Sequence, residues 1–188
     1  MLSRVRTCAV FGVDAYPLDV EVDNHPGLAK FVMVGLPDLA VKESRERVES
    51  ALRSSGFRYP RGVVVVNLAP ANVRKEGSAL DLPIALGMLT ASEQASGDRL
   101  TDYALTGELA LDGSVRPVSG VLSMAMAARD AGMRGLLVPQ RNAEEAGVVR
   151  DIDIIPVSSL DEAVSFMTGE TDIRPYVTDV QAVFARAE

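Results

Sequence analysis

The chain has 188 residues, 47% hydrophobic and 24% charged, a length and balance that suit one soluble domain with at most a small appendage. Its formal net charge of −7 excludes attraction of nucleic acid by bulk charge, because phosphate contact needs locally concentrated Lys and Arg. No apolar run approaches the roughly 18–20 residues needed to cross a bilayer, and Met1 to Arg6 contains no segment of signal-peptide character.

Taken in chain order, residues 4–36 read as strands. Val5, Thr7, Ala9 and Phe11 alternate with other neighbours, and Leu18, Val20 and Val22 repeat the pattern; Phe31 to Val34 completes an expected three-stranded meander. Cys8, the single cysteine, lies in the first strand as a small core residue. It precludes an internal disulfide and points to a reducing cytoplasm. Asp38 is placed to cap a helix that Gly56 ends, with Val41, Ser44, Val48 and Leu52 on its inward stripe. Val63 to Val66 is β-branched throughout and predicts a central strand buried on both faces. Asp81 is expected to cap the next helix, with Pro83 tolerated in its first turn.

Leu105 to Leu111, Asp112-Gly113 and Ser114 to Val118 predict a hairpin. A small-residue helix over 121–131 follows, then a buried strand at 136–138, a short helix at 142–146 and a strand at 152–157. Ser159 and Glu162 stand at capping-box spacing before a helix reaching Met167. Residues 1–168 form the expected domain, and 169–188 the expected linker, with a helix-like turn over 180–187 that has nothing obvious to pack on.

Charge is uneven along the chain: net −2 over residues 1–40, +5 over 41–75 and −10 over 76–188. The basic stretch reads first as a solvated helix face with loop charges, and second as a polyanion-contacting face.

The chemistry inventory is short. His25 is the only histidine and sits in a turn, so His-rich zinc sites and Ser-His-Asp triads are excluded. No Gly-Lys dipeptide occurs, so there is no Walker A loop. Ser78 follows Gly77 just ahead of a helix, where a serine–lysine dyad would place its nucleophile. The lysines are Lys30, Lys42 and Lys75, and none is a natural base for it. The competing reading makes Gly77-Ser78 a turn and helix cap.

The order Lys75-Glu76-Gly77, helix, Thr106-Gly107-Glu108, Pro117-x-x-Gly120 and Leu137-Val138-Pro139 resembles the proteolytic domain of Lon. Matched residue by residue, Ala79 stands at the Lon serine position and Leu122 at the lysine position. Neither can carry a proton, so the resemblance implies the fold without the dyad. A one-residue slip would put Ser78 in the serine place.

A closer resemblance rests on Val34-Gly35-Leu36-Pro37-Asp38, Val66-Asn67-Leu68-Ala69-Pro70-Ala71 and Gly77-Ser78-Ala79-Leu80-Asp81-Leu82-Pro83. These look like the N-terminal domain of the ComM/YifB group of magnesium-chelatase-like AAA+ ATPases. That resemblance implies an α/β, Lon-like, two-layer fold with a mixed sheet. It also implies a missing ATPase module that holds ATP and Mg, hexameric assembly, and a role in DNA branch migration and natural transformation. No cofactor or metal is expected in this chain. Its expected partners are its own AAA+ module, further copies of itself and DNA, with no membrane. Arg74 and Lys75 on the loop, with Lys42, Arg45, Arg47 and Arg53 on the preceding helix, are the candidate polyanion contacts. A Ser78 peptidase and a bare oligomerisation scaffold are the alternatives.

Overall fold

The computed structural model describes residues 1–187; Glu188, the last residue of the expected linker, lies outside them. Strands β1 (Leu2–Phe11) and β2 (Asp14–His25) form a long antiparallel hairpin, paired from Leu2↔Asp23 to Phe11↔Asp14. Strand β3 (Lys30–Val34) is followed by α1 (Leu39–Lys42) and α2 (Ser44–Ser54), which cross over to β4 (Val63–Ala69). Helix α3 (Asp81–Ala91) leads to β5 (Tyr103–Leu105), and β6 (Glu108–Leu109) pairs with β7 (Val115–Arg116). The chain then runs through α4 (Val121–Asp130), β8 (Gly135–Pro139), α5 (Ala143–Ala146), β9 (Asp153–Val157), α6 (Leu160–Met167) and α7 (Val180–Ala187).

Seven strands make one mixed sheet in the order β3-β4-β2-β1-β5-β8-β9. The expected meander is therefore corrected: β4 inserts between β2 and β3, antiparallel to the first and parallel to the second. A β-branched strand gains most where both its edges are paired. The half-buried β3, which begins at the exposed Lys30, takes the open edge. The turn joining β2 to β3 must then pass the start of β4. Gly62 permits this, since a Cβ there would lie 2.4 Å from the His25 carbonyl oxygen and its φ is +83°.

Strand β4 alternates, with Val64, Val66 and Leu68 buried and the residues between them half-buried, so it is not enclosed on both faces as expected. That environment belongs to β8, which is buried throughout. Alternate residues of β1, β5, β8 and β9 feed two cores. Val5, Leu105, Leu137 and Ile155 pack with α2, α3 and α6, whereas Cys8, Ala104, Leu136 and Ile154 pack with α4 and α5. All eleven residues of α3 are buried, which explains its apolar character on every side. Gly87 lets it lie close on the hairpin, since a Cβ there would meet Val22 Cγ2 at 2.6 Å.

The predicted stripe Val41, Ser44, Val48 and Leu52 is buried, and Asp38 Oδ1 accepts from the Val41 N–H at 2.8 Å. The single helix expected here is instead divided at Glu43. The expected 105–118 hairpin is shorter, because Leu105 joins the main sheet and only Glu108–Leu109 pairs with Val115–Arg116. Ser159 caps α6 by accepting from the Glu162 N–H at 3.1 Å. The segment after α6 folds back on the domain: the Tyr176 N–H donates to the Ile154 carbonyl at 2.8 Å, and Thr178 is buried. Helix α7 follows with no buried side chain. Among the described residues, no helix is long and apolar enough to cross a membrane.

Candidate functional site

The 74–78 loop is zipped to the segment after β3. The Lys75 N–H donates to the Leu36 carbonyl at 3.1 Å, and the Asp38 N–H to the Lys75 carbonyl at 2.9 Å. The Gly77 N–H reaches Asp38 Oδ2 at 3.3 Å. This pairing turns the Lys75 side chain inward, where it is fully buried and its Nζ donates to the carbonyls of Gly35, at 2.7 Å, and Pro70. Burial holds its pKa below the ordinary lysine value. Gly35 is required at this junction: its φ is +103°, and a Cβ would stand 2.2 Å from the Leu68 carbonyl oxygen.

Asp81 does not cap α3. It is the first residue of that helix, and its carboxylate is wholly buried beneath the loop. Arg47 grips it with two N–H groups, Nε to Oδ2 at 2.6 Å and Nη2 to Oδ1 at 3.0 Å. Ser44 Oγ donates to Oδ1 at 2.5 Å and the Leu109 N–H to Oδ2 at 3.1 Å. Burial pushes the Asp81 pKa up, while Arg47, Ser44 and the Leu109 N–H pull it back. The same carboxylate holds Arg47 above its usual value. One side chain thus ties together α2, α3 and β6.

Above this clamp lies a cleft of about 560 Å³. Its polar wall carries Asp38, Glu76, Ser78, Glu108 and Ser119, and Ala79, Val10 and Met124 are among its apolar lining. Ser78 Oγ donates to Glu108 Oε2, and Glu108 Oε1 stands 3.7 Å from Arg116 Nη1. Among the described residues no Lys, Arg or His lines the cleft, so none of them places an amine or imidazole to take a proton from Ser78. Cys8 also borders it, but burial pushes its thiol up to about 12 and keeps it protonated.

Of the two positions that correspond to a serine–lysine dyad, Ala79 lies in the cleft wall. Leu122 does not line it: its side chain is exposed on α4 and its N–H donates to Glu145 Oε1 at 3.2 Å. Glu108, Asp38 and Ser119, none of them a candidate site residue from sequence alone, also line the cleft. The Thr106-Gly107-Glu108 element was the available signal, since the Gly107 N–H donates to the Ala79 carbonyl at 3.0 Å and brings Glu108 to Ser78.

The six basic candidates do not all reach the surface. Lys75 and Arg47 are spent inside the fold, and the structure corrects their expected place on the surface. Arg53 pairs with Glu49 at 2.9 Å, and Arg74 stands 3.5 Å from Glu76. Arg45 lies over the Phe31 ring at 5.6 Å, and Lys42 is exposed at the end of α1. A carboxylate or aromatic neighbour lowers the net attraction of such a cation for phosphate.

Comparison with known proteins agrees with this architecture. Residues 20–142 match the family described as subunit ChlI of Mg-chelatase. The chain is 43% identical to YifB of Escherichia coli K12 over 95% of its own length and 35% of that protein. It is 39% identical to the competence protein ComM of Haemophilus influenzae over the same shares of 95% and 35%. A weaker similarity, 25% identity over 78% of this chain and 19% of the relative, links it to the Lon protease of Lachnoclostridium phytofermentans. The chain thus spans about a third of the length of its ComM and YifB relatives. With a Lon-like mixed sheet and this extent of identity, the chain belongs to the magnesium-chelatase-like ComM/YifB family.

Proposed function

We propose that this chain is a non-catalytic accessory domain of a magnesium-chelatase-like AAA+ ATPase, serving assembly of the motor and contact with DNA or another substrate. The observation that carries this reading is the composition of the Lon-like cleft, where Ser78 faces a carboxylate and no basic residue. In this reading, ATP and Mg belong to an ATPase module outside the present sequence, and the assembled protein works in the cytoplasm. ComM is named for competence, which supports DNA as the substrate; branch migration during natural transformation is the setting that the family resemblance implies.

Contact with DNA then falls to Lys42, Arg45, Arg53 and Arg74, the candidates whose side chains remain at the surface. Fluorescence anisotropy with labelled DNA across a salt series tests it. Charge reversal of all four should weaken binding and reduce the salt slope. Absence of binding at low salt, or binding indifferent to the reversal, would leave assembly alone as the role.

The Ser78–Glu108 hydrogen bond favours one second reading, a serine hydrolase with a carboxylate as base. A fluorophosphonate probe decides it. Labelling of the wild type that Ser78→Ala abolishes establishes the hydrolase, and an unlabelled wild type removes it.

A further inference from the structure

Beside the serine cleft, and sharing Pro117 with it, runs a second crevice of about 490 Å³. Ser114, Arg116, Gln140, Arg141 and Ser158 supply its polar lining. It opens at the carboxyl ends of two parallel strands: Gln140 follows the last residue of β8, and Ser158 the last residue of β9. Open α/β sheets commonly take small ligands outside the carboxyl ends of their parallel strands.

The two neighbouring crevices have opposite chemistry. Among the described residues, three carboxylates and no cationic side chain line the first, while two guanidiniums and no carboxylate line the second. In a chain with 26 acidic residues, such a lining concentrates positive charge against the average. Both guanidiniums retain donors for a ligand. Arg141 is exposed and makes no ion pair among the described residues, while Arg116 stands 3.7 Å from Glu108, too far for a hydrogen bond. The adjacent carboxylates are turned to other donors. Asp112 accepts from the Ser114 N–H at 2.9 Å and its Oγ at 2.6 Å, and Glu162 accepts from the Ser158 N–H at 2.7 Å.

We propose that this crevice binds a compact phosphomonoester. Arg116 and Arg141 hold the phosphate, and the Gln140 amide and Ser158 hydroxyl bind the remainder of the molecule. Two positive charges balance a phosphate dianion better than a carboxylate monoanion, and planar guanidinium forks suit its oxygens. The volume lies within the range of small-molecule sites. A long phosphodiester strand is disfavoured, because leaving the crevice past Pro117 would carry it along the cleft of Asp38, Glu76 and Glu108. This proposal stands independently of the accessory-domain reading.

Titration of ¹⁵N-labelled protein with inorganic phosphate, adenosine monophosphate, acetate and a single-stranded oligonucleotide at low salt tests it. The monophosphate should produce saturable shifts at the amides of Arg116, Gln140, Arg141 and Ser158. Arg116→Gln and Arg141→Gln should each weaken binding about tenfold or more, with partial recovery in Arg141→Lys. The Arg58→Gln/Arg61→Gln variant, altered in a different arginine-bearing crevice, should bind normally. Thermal melting confirms that the variants are folded. The proposal is overturned if no saturable shift occurs at these amides or if the two glutamine variants bind unchanged. Acetate binding as tightly as the monophosphate, or binding confined to the oligonucleotide, also overturns it.

Discussion

The six basic candidates and Asp81 fall into two groups that residue type alone does not separate. Arg47, Lys75 and Asp81 lie beneath the cleft, and each is held by several partners: Asp81 by Arg47, Ser44 and the Leu109 N–H, and Lys75 by two backbone carbonyls. Lys42, Arg45, Arg53 and Arg74 remain outside, alone or beside a single neighbour. The interior group fixes how α2, α3 and the 74–78 loop meet. The outer group leaves the backbone almost indifferent to which residue is present. A buried charge without its partner is costly, whereas an exposed ion pair contributes little.

Substitution at Asp81 is the strongest way to break this contrast. Asp81→Ala leaves the half-buried Arg47 guanidinium with only the exposed Glu43 carboxylate, 3.8 Å away, as a counter-charge, and should destabilise the domain by about 3–5 kcal/mol in urea or thermal unfolding. Joint replacement of Arg47 and Asp81 by leucine should recover part of that loss, since no orphan charge remains. A loss below about 1 kcal/mol for Asp81→Ala, the range of a surface pair, would erase the distinction between the two groups.

Lys75→Met comes next, at about 1–3 kcal/mol, because it strands the carbonyls of Gly35 and Pro70. Its pH signature sharpens the comparison. Burial lowers the Lys75 pKa, so between that depressed value and the ordinary lysine value the native state holds fewer protons than the unfolded chain. Stability contributed by this group therefore rises with pH through that window. The raised Cys8, Tyr16, Tyr59 and Tyr103 act in the opposite sense in both proteins, so the Lys75 contribution should appear as a difference between the pH slopes of their urea midpoints, with the wild type rising more, or falling less, than Lys75→Met. Equal pH slopes in the two proteins would mean that Lys75 is solvated.

Ser78→Ala is the mildest change. It removes one hydrogen bond at a half-buried site, and should cost about 1 kcal/mol or less. A loss as large as that of Asp81→Ala would make the cleft wall as structural as the clamp below it.

Much of the fold was legible because it rests on local periodicity. The stripe of Val41, Ser44, Val48 and Leu52, the Asp38 and Ser159 caps and the run Leu136 to Val138 all lie where spacing placed them. The insertion of β4 between β2 and β3 was not legible, because strand alternation reveals which face is buried but not which edge is paired. At the site, the Lon-type motifs located the cleft through Ser78 and Ala79. Glu108 joined it through a contact across 30 positions of sequence, which no local pattern encodes.

The amino-acid sequence by itself determined the order and type of most elements and the family resemblance, and it puts at Ala79 and Leu122 side chains that have no ionisable group in any fold. Tertiary structure alone decided which charges face water. Lys75 and Arg74 are adjacent in sequence, yet one is fully buried and the other is exposed. The reason is that a loop paired through its backbone directs successive side chains to opposite sides, and only the inward side offered carbonyls to receive an ammonium group.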